Sequence, residues 1–288
     1  MRVAQSVLRN GIGLRQPASI VKTSSTPRRL QSTSAGPQAP ATAALSPRWL
    51  SDVKLRIGQC LTFGANEQQT QQAGRILSEI ARDWRELVAG SEGFLTDAKR
   101  RGIYRQQVVW GEMDAMGHVN NVMYNRYAES GRVQWTQQLG KHIDPAHKRA
   151  WCELMTPSEA GLILKSITTQ FKFPMTWPDH ISIYHKLRGE PTAATSSFVL
   201  DVVIMSELHQ RPAARVVEDI VVYDYRQGRK IALPGFMLDV FRETWKLQEE
   251  AKARNSERVA RLLDEVRHLE QGTWDRSDAV EDQGSSGR

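Results

Sequence analysis

Apolar residues recur along this chain with two different periods, and the change of period divides it into parts. Ala73, Ile76, Leu77, Ile80, Trp84, Leu87 and Val88 fall three and four apart with charges between them. That spacing predicts an amphipathic helix between Asn66 and Gly90, ended by the glycine. Met123, Tyr127, Gly131, Trp135 and Leu139 recur every four residues and predict a second helix with a buried face. Beyond it, residues 162–173, 181–187, 198–205 and 216–225 are rich in β-branched and aromatic residues and are separated by Pro, Gly and polar turns, as strands are. Gln106-Gln-Val-Val-Trp110 predicts a short strand ahead of the second helix. One helix cannot supply the crossovers that five parallel strands require. The sheet is therefore expected to be largely antiparallel and to bury one face on that helix, and residues 101–240 suffice for one such core.

Residues 46–100 then form a helical extension on the N-terminal side. On the other side Phe241, Trp245, Val259, Leu262, Leu263, Val266 and Leu269 lie at helical spacing in a stretch dense with Lys, Arg and Glu. Such a helix is expected to pack on its own domain, with a partner-binding role as the sharper alternative. A polar tail over 275–288 is expected to be disordered, and completes a C-terminal part spanning 241–288.

Charge changes this picture at the N-terminus. The chain has 39 Lys+Arg and 32 Asp+Glu, for a net charge of +7. The excess lies in residues 1–50, where Arg2, Arg9, Arg15, Lys22, Arg28, Arg29 and Arg48 occur without a single acidic residue. Arg-rich, Ser/Thr-rich and acid-free, residues 1–45 are expected to be a mitochondrial presequence and a disordered linker, addressing the protein to the mitochondrial matrix. Arg28-Arg29-Leu30-Gln31-Ser32 resembles a matrix-protease site, with the mature chain expected to begin near Ser32. The remainder is neutral, which argues against nucleic acid as a partner. No run of 18 apolar residues occurs, so no transmembrane segment is expected. Cys60 and Cys152 are far apart and outside any C-x-x-C pattern, which fits a reducing compartment and ordinary thiols. His180, His185 and His209 show no metal spacing, and no metal site is expected.

The candidate chemistry lies between the short strand and the second helix, in Asp114-Ala-Met-Gly-His-Val-Asn-Asn-Val-Met-Tyr124. A carboxylate placed just before a helix N-terminus faces unpaired backbone N–H groups and the positive end of the helix dipole, which can hold a developing oxyanion. Asp114 could supply the base or nucleophile; alone, it could equally be a turn carboxylate satisfied by backbone N–H groups. His118 could transfer protons or brace the loop. Asn120 and Asn121 stand where asparagine caps helices. Tyr124 reads as a packing residue whose hydroxyl closes a loop contact.

These residues resemble the signature D-x-x-G-H-V-N-N-x-x-Y of the hotdog-fold acyl-CoA and acyl-ACP thioesterases, in their 4-hydroxybenzoyl-CoA thioesterase-like branch. Asp114, Gly117, His118, Val119, Asn120, Asn121 and Tyr124 all match, and Phe171-Lys-Phe-Pro174 with Asp179 resembles the family's second-strand turn. The resemblance covers about residues 101–240 and, with the presequence, points to a fungal-type mitochondrial member. It implies an α+β hotdog fold, a five-stranded largely antiparallel sheet wrapped around one long helix. Here that fold would carry helical N- and C-terminal extensions.

The implied activity is hydrolysis of acyl-CoA or acyl-ACP thioesters, with no cofactor and with a homo-oligomeric assembly. By carry-over, Asp114, His118 and Asn121 are the catalytic residues, with the N–H near Asn121 as oxyanion donor. Gly117, Asn120, Tyr124 and Lys172 are the substrate-binding ones. Met116 stands where plant-type acyl-ACP members carry asparagine, so a hydrogen-bonding partner is missing there. Glu129 corresponds to the helix carboxylate of a sister branch. Trp110, Phe171, Phe173 and Trp177 read as core or dimer-surface aromatics, some of which would line an acyl slot. Lys172, Lys186 and Arg188 are candidates for the CoA phosphates or for a solvated face. The alternative function is a catalytically inactive hotdog module for acyl binding or assembly in a mitochondrial complex. A hydratase would need a different order of Asp, Asn and His.

Overall fold

The computed structural model describes residues 45–279. Its sheet consists of β1 (Gln106–Gln107), β2 (Ala160–Phe171), β3 (His180–Leu187), β4 (Ser197–Ser206), β5 (Arg211–Asp224) and β6 (Arg229–Lys230). The order is β1-β3-β4-β5-β2, with β6 beside β5, and every pair is antiparallel. The second predicted helix runs over Asn121–Gln138. Two helices precede it, at Trp49–Thr62 (α1) and Glu67–Val88 (α2), which makes it α3. It joins β1 to β2, the strands at opposite edges of the sheet. The helix must therefore cross the sheet, which curls around it: a hotdog fold. Tyr124, Tyr127, Ala128, Gly131 and Trp135 are the face it buries, so the four-residue stripe marks the contact. At Gly131 the approach is close enough that a Cβ would lie 3.0 Å from Ile183 Cγ2 and His185 Cε1.

The sheet buries both faces over its central strands. Ile181 and Ile183 of β3 and Val202 and Ile204 of β4 join the core around α3; Tyr184, Val203 and Met205 join a second core. Strands covered on both sides lose the apolar-polar alternation, as β4 does over Val202-Val-Ile-Met205. The cover on the second side is α1, α2 and the 38-residue helix α5 (Gly235–Gly272), with a short α4 (Lys148–Glu153) lying after α3. Ile57, Cys60, Ile76, Ile80, Trp84, Val259, Leu262 and Val266 fill that second core, while the first turns of α5, through Met237 and Phe241, pack in the first. The C-terminal helix thus packs on its own chain.

Two expectations are corrected. The strand expected over 106–110 stops at Gln107, because Glu112 takes the Val109 N–H at 2.9 Å and turns Trp110–Glu112 into a 3-10 helix. The sheet does not bury only one face, since the extensions cover the other. The α2 helix lies between Asn66 and Gly90 as expected, and starts with a reciprocal Asn66–Gln69 cap at 2.9 Å each way. The short β6 and α4 have no periodic pattern and were not expected. Among the described residues, no helix is long and apolar enough to cross a membrane. The expected presequence, and the part of the expected polar tail beyond Ala279, lie outside the described residues.

Candidate active site

The segment before α3 is a tight hairpin whose backbone aims one side chain. Met113 and Val119 face each other as a β-bridge; the Asp114 N–H donates to His118 O at 2.8 Å and the Gly117 N–H to Asp114 O at 3.0 Å. Gly117 sits at φ +74°, a left-handed conformation that residues with a Cβ adopt only under strain. Within this turn Asp114 Oδ1 accepts the Met116 N–H at 2.8 Å and, more weakly, the His118 N–H at 3.5 Å. Its other oxygen has no partner among the described residues. The carboxylate is thus both a turn brace and an open base.

Helix α3 begins three residues after His118. Asn120 is its cap: the side chain accepts the Val122 N–H at 3.1 Å, while the Asn120 N–H is taken by Glu112 O at 2.9 Å. The Met123 N–H turns back to Asn120 O. The Asn121 N–H, first of the helix, has no partner among the described residues, which suits it to receive a developing negative charge.

Asp114, His118, Asn121, Tyr124 and Lys172 line one open cavity of about 470 Å³, with Met116, Val119, Phe171, Phe173 and Pro174 also on its wall. Gly117 and Asn120 are not on its wall; one shapes the turn and the other caps the helix. The two walls are fastened together by Val119, whose N–H donates to Met175 O at 2.8 Å, and by Tyr124, whose hydroxyl accepts the Met175 N–H at 3.3 Å. Tyr124 is buried, stands edge-on to Phe171 with centroids 5.1 Å apart, and has its phenol pushed above its ordinary pKa by that burial. Met116 and Phe171 of the cavity wall expose apolar surface, Met116 to 78 %, and Val109, Trp110, Val122 and Trp177 are exposed as well, Trp110 to 72 %. Trp110, Phe171 and Trp177 are therefore outside the core, and Phe173 is half-buried against it.

Other candidates lie elsewhere. Glu129 points to the exposed side of α3 and is not on the cavity wall. Lys186 donates to Glu92 O at 2.6 Å and lies 4.9 Å over the Phe94 ring, and Arg188 pairs with Asp201. Of the three proposed phosphate cations only Lys172 reaches the cavity. Two supporting residues were missed: Glu112, whose carboxylate accepts both the Val109 N–H and the Tyr127 hydroxyl, and Tyr127 itself. Tyr127 was visible only as a member of the buried stripe, and nothing in the spacing links it to a carboxylate 15 residues earlier.

Among solved structures the chain is similar to a thioesterase from Thermus thermophilus crystallised with coenzyme A and zinc. The two share 20 % identity over 54 % of this chain and 97 % of that one, with a TM-score of 0.41. The PA2801 protein from Pseudomonas aeruginosa matches at 23 % identity over 46 % of this chain and 92 % of its own, with a TM-score of 0.39. A gentisyl-coenzyme A thioesterase matches at 20 %, over 49 % and 98 %, with a TM-score of 0.37. No curated protein matches the chain. Residues 108–241, which hold the Asp114 turn, α3 and strands β2 to β6, match the model of the thioesterase-like superfamily.

Proposed function

We propose that the protein hydrolyses acyl thioesters of coenzyme A or acyl carrier protein, with Asp114 as the reacting carboxylate. The observation that carries this reading is the pairing, on one cavity wall, of a half-open carboxylate with the partnerless first N–H of a helix. The unengaged Asp114 oxygen takes a proton from water as that water attacks the thioester carbonyl, or attacks the carbonyl itself to give an anhydride that water then opens. In either course the carbonyl π electrons move onto oxygen, where the Asn121 N–H and the helix dipole stabilise them. Collapse of that intermediate breaks the C–S bond, and the thiolate leaves to be protonated. His118, on the same wall, is placed either to supply that proton or to hold the turn. The superfamily match of residues 108–241 supports thioester hydrolysis in general; the carrier and the acyl group belong to this proposal alone.

The acid-free, Arg-rich composition of the first 31 residues supports action in the mitochondrial matrix. Fractionation of a tagged protein, with N-terminal sequencing expected to begin near Ser32, checks this; an intact N-terminus in the cytosol would overturn it.

The functional test is thiol release from a panel of acyl-CoAs and acyl-ACPs by protein lacking residues 1–45. Asp114→Asn is expected to lower turnover at least ~10²-fold, the scale on which removing a general base acts, while acyl-CoA binding survives. Absence of hydrolysis by the unmodified protein, with acyl binding identical in Asp114→Asn, would instead identify a binding module.

A further inference from the structure

The turn between β4 and β5, Glu207–Gln210, is held at both ends by the helical extension. At its first residue, Arg85 of α2 grips the Glu207 carboxylate with two guanidinium nitrogens, Nε at 3.0 Å, and the Ser182 hydroxyl donates to the same carboxylate at 2.5 Å. Such a two-pronged pair fixes direction as well as distance. At its last residue, Lys54 of α1 donates to the Gln210 side-chain oxygen. Gln210 stands at φ +50°, a left-handed conformation that a residue with a Cβ keeps only where its surroundings hold it. Between these clamps the Leu208 N–H donates to Asp179 at 3.0 Å and the His209 N–H to Ser206 Oγ at 3.1 Å. Both helices also sit on the strand that enters the turn, since Val53, Ile57, Ile80 and Trp84 share the second core with Val203 and Met205 of β4.

The side chains of this turn and of the residue after it hold Phe173. The Arg211 guanidinium lies 3.9 Å above the Phe173 ring, and the His209 ring stands at 73° to it with centroids 5.0 Å apart. Phe173 is half-buried, packs against the first core and belongs to the wall of the Asp114 cavity. Among the described residues the Arg211 side chain makes no hydrogen bond or ion pair, whereas Arg56, Arg85, Arg132, Arg215 and Arg258 each have a carboxylate. No carboxylate therefore places the Arg211 guanidinium over the ring; the backbone of the clamped turn does. Close-packed side chains move with the groups they touch, so a shift of the turn is passed to Phe173.

We infer that Arg211 and His209 are positioning residues for the acyl group, holding Phe173 as an apolar wall of the cavity, and that α1 and α2 set this hold through Lys54–Gln210 and Arg85–Glu207. The inference rests on the thioesterase reading for its choice of ligand. Its consequence is that acyl selection depends on two helices outside residues 108–241, the part of the chain that supplies the cavity wall itself. Asp114 and Asn121 stand outside this series of contacts. Loosening it therefore acts on the seating of the acyl group before it acts on the bond that breaks.

Two unreactive thioether probes read the wall without catalysis: S-dodecyl-coenzyme A, whose chain is long enough to pack on it, and S-ethyl-coenzyme A, whose chain is not. The full chain is expected to bind the dodecyl probe more tightly. This preference is expected to fall about tenfold in Arg211→Gln and roughly threefold in Gln210→Gly, the scale on which a small misplacement of a wall acts. Gln210→Gly suits the left-handed turn and removes only the contact with Lys54, so it cuts the link without disturbing the fold. Arg211→Lys, which keeps a cation over the ring, is expected to retain most of the preference. In turnover of dodecanoyl-coenzyme A, Arg211→Gln is expected to raise KM by more than it lowers kcat. Equal affinity of the unmodified protein for the two probes overturns the inference, as does an undiminished preference in both Arg211→Gln and Gln210→Gly. Equal losses for both probes, in step with a lowered melting temperature and shared by Arg211→Lys, also overturn it and leave the turn a purely structural one. A protein that hydrolyses thioesters yet shows any of these results keeps the hydrolase reading. A preference that falls as expected in a protein that hydrolyses none supports the wall while refuting that reading.

Discussion

The Tyr127 hydroxyl donates to Glu112 across 2.5 Å, tying the second turn of α3 to the residue two positions before Asp114. Glu112 also holds the Val109 N–H through the same oxygen and the Asn120 N–H through its carbonyl. The carboxylate base and the oxyanion donor are thereby fixed to each other through one residue. Burial, with the adjacent Glu112 carboxylate, pushes the Tyr127 phenol well above its ordinary pKa, so it remains a donor at every physiological pH. Tyr127→Phe is expected to cost about 1.5–3 kcal/mol of stability, the range for a hydrogen bond to a charged group. It is also expected to lower kcat more than it weakens coenzyme A binding, because it loosens geometry rather than removing a ligand contact. Denaturant melts together with a kcat and KM comparison check both; an unchanged kcat would show that the clamp does not position the turn.

His118 shares the cavity wall with Asp114 but holds the turn mainly through its backbone, whose carbonyl accepts the Asp114 N–H and whose N–H reaches Asp114 Oδ1 only at 3.5 Å. If its ring moves protons, His118→Ala is expected to lower thioester turnover by a factor near that of Asp114→Asn, on the order of 10². If the ring only braces the turn, the loss is smaller and follows stability. Measuring both variants at several pH values ranks the roles, since only a proton-donating imidazole shapes the alkaline limb of the rate profile, while the acid limb belongs to the Asp114 base.

Much of this arrangement was legible before any coordinates, and the reasons differ by element. The stripe from Met123 to Leu139 identified α3 because a helix that crosses a curled sheet must bury one face along its whole length. The Asp114–Tyr124 motif placed the site because a glycine at φ +74° and an asparagine cap are local requirements that leave local marks. Non-local partnerships left none. Glu112–Tyr127, the Arg132–Glu218 pair and the Arg211–Phe173 contact join residues from separate segments, and no periodicity encodes such meetings. The second core was half visible: Val202-Val-Ile-Met205 of β4 is apolar on both faces, and α2 and α5 read as amphipathic, yet the pattern did not say that these faces belong together.

His185 lies under α3, fully buried, stacked on Trp135 at 5.8 Å and without a hydrogen-bond partner on either ring nitrogen. Burial, and then the Arg132 charge, lower its pKa from 6.5 to about 3. A depressed folded-state value means stability that is present above pH 6.5 and lost as pH falls toward 3, because only the unfolded chain takes the proton. The neighbouring Glu218 has the opposite sign: burial raises it from 4.5 to about 7 against the pull of Arg132, so its contribution grows as pH falls from 7 to 4.5. The two oppose each other between pH 6.5 and 4.5, and the unmodified protein is expected to show little pH dependence from this pair there. His185→Gln removes one of them. Its stability is expected to rise relative to wild type as pH falls through that window, by up to ~1.4 kcal/mol per pH unit for one proton. Parallel stability curves for the two proteins would show that His185 does not titrate as described.

Strand β2 is the long edge of the sheet: its 12 residues pair with β5 on one side and, among the described residues, with no strand on the other. An edge of this length, with Ile163 and Ile167 only half-buried, is a template for another strand. It ends at Phe171, followed by Lys172, both on the cavity wall, and the exposed Met116 lies on the same wall. Antiparallel pairing of β2 with β2 of a second copy would cover the edge and bring another chain against the cavity, in a closed two-fold dimer or a higher even assembly. Light scattering at micromolar concentration is expected to give an even multiple of the chain mass, and specific activity is expected to fall on dilution as the assembly dissociates. A stable monomer whose activity per chain is independent of concentration would overturn both expectations, and would require the apolar mouth to be covered by substrate alone.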